Sequence, residues 1–132
     1  MTTRIAILVL ILLSVVSPLA AHHSIAGTYD STKAMTIRGH VTEVAWRNPH
    51  TLLSIDVTGS DGKIATWKIE MGRPANLINS GFRKEDIFST PITLQVWPAR
   101  DGSTTAAGRL LTLPDGRQFD VHDTFADNFE KK

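Results

Sequence analysis

A chain of 132 residues with a formal charge of +1 and no cysteine is long enough for one hydrophobic core and too short for two. Its 14 Lys+Arg include Arg4 in an N-terminal leader, so the mature chain balances its 13 Asp+Glu; such neutrality argues against a broad electrostatic grip on nucleic acid or anionic lipid. The lack of thiols excludes disulfides, cysteine nucleophiles, thiolate metal sites and a lipoprotein anchor.

The leader is Thr2-Thr3-Arg4, the apolar stretch Ile5 to Val16 and the small-residue exit Ser17-Pro18-Leu19-Ala20-Ala21. A basic start, an apolar run of about a dozen residues and such an exit describe a secretory signal peptide, too short for a permanent membrane span. Residues 1–21 are therefore read as signal peptide, 22–34 as an N-terminal arm, 35–122 as a β-barrel domain and 123–132 as a C-terminal tail. Export to the periplasm or beyond the cell is the expectation, with no transmembrane anchor after cleavage.

From His22 to Lys33 the composition is mixed and polar, fitting an arm that orders on contact. Met35 to Trp46 alternates with period two, but Met35, Ile37, Gly39 and Val41 share one parity and Val44 and Trp46 the other. A parity switch inside a strand predicts one extra residue, a bulge near Thr42-Glu43. Asn48-Pro49 turns the chain into a second strand through Leu53, Ile55 and Val57, and Gly59-Ser60-Asp61-Gly62 closes a hairpin onto a third, with Ala65, Trp67, Ile69 and Met71 on one face. Pro74 opens a short helix and Gly81 stands where a left-handed cap ends it. Arg83 to Asp86 adds a second helical turn, with Phe82 and Ile87 as core anchors. A fourth strand runs through Ile92, Leu94 and Val96, a fifth from Ala107 to Leu113, and a last segment from Gln118 to His122, each separated by an Asp-Gly turn.

Three strands, a short helix and two or three more strands, with a long bulged first strand, are the order of an OB-like small all-β barrel. A meander-type sandwich or another small β-barrel is the competing layout.

The combination of Ala21-His22-His23-Ser24, Gly39-x-Val41-x-x-Val44-x-Trp46-x-Asn48-Pro49-His50, Trp67-x-x-Glu70-x-Gly72-x-Pro74 and Pro98-Ala99-x-Asp101-Gly102-Ser103 resembles a family of small exported bacterial proteins known only as a domain of unknown function. The likeness covers nearly all of the mature chain, and its most specific pieces are the double histidine and the Asn-Pro-His turn. It implies an exported OB-like barrel and no established activity. Where that family usually has Leu before the glycine of Glu-x-Gly, this chain has Met71, either a core exchange or a soft ligand.

The histidines carry the chemistry. Cleavage after Ala21 makes His22 the N-terminus, whose amine and Nδ1 chelate Cu(II), and imidazoles of His23 and His50 complete a tetragonal nitrogen set of the kind copper prefers. Asn48 is a candidate orienter of His50. Cleavage after Ala20 would instead start the chain Ala21-His22-His23, which binds Cu(II) or Ni(II) through the amine, two backbone nitrogens and the third-position imidazole. The bland alternative is a solvated histidine pair, with His50 bonded to turn carbonyls or Asn48. His40 reads as a solvent-facing strand residue, and His122, beside Asp120 and Asp123, as part of a charged surface.

No nucleophile elbow, zinc-protease helix or phosphate loop occurs, and Glu70 and Asp86 read as unrelated surface charges. Binding rather than catalysis is therefore expected, with copper as the cofactor and His22, His23 and His50 as the metal ligands. The alternative is a metal-free OB-type module for an envelope protein, peptide or glycan, with Trp46 and Trp97 as half-exposed platforms beside Arg47 and Arg100.

Overall fold

A computed structural model describes residues 25–88 and 90–122. The leader, His22 and His23, and the tail with Phe125 and Phe129 lie outside the described residues. Chain order is helical turn α1 (Ile25–Thr28), a 3-10 turn (Ser31–Lys33), β1 (Met35–Ala45), β2 (Thr51–Thr58), β3 (Ile64–Met71), α2 (Pro74–Asn79), α3 (Glu85–Phe88), β4 (Ile92–Pro98), β5 (Thr105–Thr112) and β6 (Gln118–Asp120).

The strands form one sheet in the order β3-β2-β1-β4-β5-β6, closed by parallel pairing of β3 with β5. The result is an all-β, OB-like barrel of five strands with β6 added at its margin. Closure depends on β1, which serves both halves. Its residues Met35 to Gly39 pair with β4, and His40 to Ala45 pair with β2. Gly39 stands at the changeover, where a Cβ would lie 2.1 Å from the Asp56 carbonyl oxygen. Only a residue without one lets the strands approach so closely.

The register slips between Val41 and Glu43, leaving Thr42 as the extra residue. This is the bulge that the parity switch predicts, and it lets Ile37 and Val41 before it and Val44 and Trp46 after it face one core.

Leu53, Ile55, Ile69, Ile92, Leu94, Val96 and Leu111 are wholly buried from alternate positions of the barrel strands. Each such side chain contributes about 2 kcal/mol of transfer free energy. Gly108 also faces inward, against Ile69, Met71 and Val121. Met71 is 1 % exposed within the core cluster, so it packs rather than binds. Phe82 plugs one end, edge-on to Trp46 at 6.0 Å and to Phe119 at 5.7 Å.

Local signals explain the barrel's lid. Pro74 stands in the first turn of α2, and Gly81 takes φ 89° after it, a conformation that glycine adopts without penalty. Leu77 and Ile87 are the buried residues of α2 and α3. Arg117 binds Asp86 in a fork at 3.1 and 3.2 Å and Asp115 at 2.8 Å, tying the β5–β6 turn to α3. The described part of the arm, from Ile25, packs on the barrel. Tyr29 bridges Ala99, and the Asp30 amide donates to the Pro98 carbonyl at 2.9 Å.

Candidate functional site

The chemistry-bearing residues gather where β3 meets β5. In the ladders Glu70 pairs with Ala107, and Ala107 pairs with Trp97. Paired residues project to the same side, so Glu70, Ala107 and Trp97 form one row on the outside of the barrel. Tyr29 enters from the β4 side beside Ala99 and donates its hydroxyl to Glu70 Oε2 at 2.6 Å. Its side chain therefore spans β5 to reach β3. The other carboxylate oxygen, Oε1, pairs with Nδ1 of His50.

His50 reaches this point through the Asn48–Pro49 turn, whose peptide bond is cis. The Thr51 amide then donates to the Gly72 carbonyl at 3.1 Å, holding the first residue of β2 against the last turn of β3. His50 and Glu70 are each about one quarter exposed, at 26 % and 27 %, an arrangement in which a carboxylate is partly shielded from water yet reachable by a ligand. Nδ1 faces the carboxylate, so Nε2 is the ring nitrogen that would meet a metal. A carboxylate set behind an imidazole orients the ring, as in carboxylate–histidine–metal triads.

Tyr29 is 4 % exposed. Burial above all, and then its bond to Glu70, holds its pKa well above the ordinary phenol value. It is thus a hydrogen-bond donor throughout the physiological range, and Glu70 is the acceptor. The arm around it is fastened to the Pro98–Asp101 turn. Arg100 donates from Nε to the Ala26 carbonyl at 3.0 Å and from its amide to the Thr28 carbonyl at 3.0 Å, and its guanidinium lies 3.5 Å from Asp30. Asp30 accepts from the Thr32 hydroxyl and amide, and the hydroxyl bond is the foremost reason its carboxyl titrates below the usual range.

A second cluster adjoins the first. Arg109 lies 4.1 Å from the Trp97 ring centroid, and His122 meets the same ring edge-on at 5.5 Å. His122 is 7 % exposed, which corrects its reading as a surface residue. Backbone bonds from Gly72 to Val121 at 2.8 Å and from Val121 to Arg109 at 3.0 Å pull the segment in, and Gly72 admits it because a Cβ there would sit 3.0 Å from the His122 carbonyl oxygen.

The other sequence expectations fare variously. His40 is exposed on β1. Glu70 lies against His50, and its partners differ from those of Asp86. Trp97 has Arg109, not Arg100, as its cationic neighbour, and Trp46 packs on Phe82. Among the described residues no three His, Cys, Asp or Glu side chains cluster to hold a metal ion, and no helix is long and apolar enough to cross a membrane. The sequence reading passed over Tyr29 and took Glu70 for a surface charge. Their traces were slight: the only tyrosine of the chain, placed in the arm, and an acidic residue two before a glycine.

These features define a small OB-like barrel with a carboxylate-held histidine on its closing seam. The chain belongs to a family of unknown function, DUF6152, whose model matches residues 9–108. The matched span contains His22, His23, Tyr29, His50 and Glu70, and stops before Arg109 and His122. No curated protein and no solved structure matches the chain.

Proposed function

We propose that the protein is an exported, non-enzymatic Cu(II)-binding barrel in which His50 Nε2 joins the amine and imidazole of His22 and the imidazole of His23. The observation that carries this reading is the hold of Glu70 on Nδ1 of His50, with Tyr29 fixing the same carboxylate. A carboxylate set against one ring nitrogen orients the imidazole, which favours ligation through the other.

Chain reach supports it. Four residues of α1 separate Tyr29 from Ser24, so the rise of the turn is about 6 Å. Three residues of fully extended chain can span at most about 10 Å more, the upper bound on the reach to His22. The Tyr29 hydroxyl of the described arm bonds the same Glu70 carboxylate that lies against His50.

The test is a Cu(II) titration of protein beginning at His22 and of protein retaining Leu19-Ala20-Ala21. The extension moves the amine away from His22 and leaves no histidine in the third position. We expect the extended form to bind at least about 100-fold more weakly, the loss of a chelating ligand being at the upper end of, or beyond, the 10–100-fold cost of losing an outer-shell partner. Affinity should also fall as pH is lowered, because protons compete for the same nitrogens. Equal affinity of the two forms would refute the amine-ligand model.

A further inference from the structure

We infer that Glu70 couples docking of the N-terminal arm to occupancy at His50, so that Tyr29 is a positioning residue for whatever His50 binds. The metal part of this inference rests on the copper reading above; the arm part does not. One carboxylate meets groups from two distant parts of the chain: at Oε2 it accepts from the Tyr29 hydroxyl of the arm, and its Oε1 lies against Nδ1 of His50 at the entry to β2. A glutamate on an outward-facing strand position samples several rotamers. Docking of Tyr29 selects one of them, and that one presents Oε1 to His50. The ordering cost is met once and shared by both partners, which is positive coupling without any change of fold.

The arm has its own reporter. The Asp30 amide bonds to the Pro98 carbonyl, and the Arg100 amide bonds to the Thr28 carbonyl; both bonds exist only while residues 26–30 lie against the Pro98–Asp101 turn. Reciprocity requires that if docking favours ligand binding at His50, the ligand favours docking by the same factor. Tyr29→Phe removes the hydroxyl while keeping the ring, so the buried contact survives and only the link to Glu70 is cut.

The experiment is hydrogen exchange of the segment around residues 26–30, read by mass spectrometry in protein beginning at His22, with and without Cu(II), alongside the Cu(II) dissociation constant. In the wild type Cu(II) should slow exchange of this segment about 10-fold. In Tyr29→Phe the slowing should vanish and the dissociation constant rise about 10-fold, the lower end of what loss of an outer-shell partner causes. Wild-type affinity in Tyr29→Phe, or copper-induced protection that persists in it, would overturn the coupling.

Failure of the wild type to bind Cu(II) would defeat the copper reading alone, and the metal-free protein then decides the coupling. Tyr29→Phe and His50→Ala should each speed exchange of the arm, and the double variant should be no faster than the faster single one, because both act through Glu70. Additive effects in that cycle would overturn the inference whatever the metal result.

Discussion

Gly39→Val should be among the most damaging single substitutions in the barrel, lowering stability by about 3 kcal/mol or more. The Cβ would fall 2.1 Å from the Asp56 carbonyl oxygen and 2.9 Å from its carbon, far inside contact distance, and both are backbone atoms. Relief requires β1 to move away from β2 at the residue where β1 passes from one half of the barrel to the other. Thermal unfolding should report a fall of about 12–24 °C in Tm, on a scale of about 4–8 °C per kcal/mol for a domain near this size. A variant melting within about 3 °C of the wild type would show that β1 does not need this close approach.

Phe82→Ala should cost about 3–5 kcal/mol. Phe82 is 1 % exposed and contacts Trp46 and Phe119 edge-on, so truncation leaves a cavity between a strand end, the helical lid and β6. Those elements come from three separate stretches of chain, which leaves little scope for collapse around the void. Urea unfolding should show a lower midpoint with an unchanged slope. A midpoint unmoved by the truncation would mean the end of the barrel is not packed on this ring.

Both residues show how far the sequence carried. The β1 bulge was legible because one inserted residue flips the parity of every side chain after it, and Val41 and Val44 record that flip. Pro74 and Gly81 marked the helix between β3 and β4 through backbone preferences that are local. The fifth strand begins at Thr105 rather than Ala107, because Ala99 donates to the Thr105 carbonyl and the parallel pairing with β3 starts at that residue. A contact to a distant strand sets that boundary, and no periodicity within β5 encodes it.

The candidate site was legible in part. His50 stood out as a histidine after a turn, but its partner did not, since an outward-facing Glu70 in a strand has the pattern of any solvated charge. Tyr29 and Glu70 are 41 residues apart, and they meet only because the β3–β5 closure leaves the arm to cross that seam. His122 misled for the reverse reason. Flanking aspartates suggested water, whereas the approach of the chain to Gly72 and Arg109 draws the ring against Trp97.

The central claim is that His50, held by Glu70, supplies a nitrogen to a copper ion bound by the processed N-terminus. Electron paramagnetic resonance with nitrogen-resolved pulsed detection on stoichiometrically Cu(II)-loaded protein beginning at His22 tests it most directly, comparing the wild type with His50→Ala. The account predicts that the variant loses the remote-nitrogen modulation of one imidazole and shifts its copper hyperfine coupling, while the amine-terminal donors remain. Identical spectra from the two proteins would contradict it.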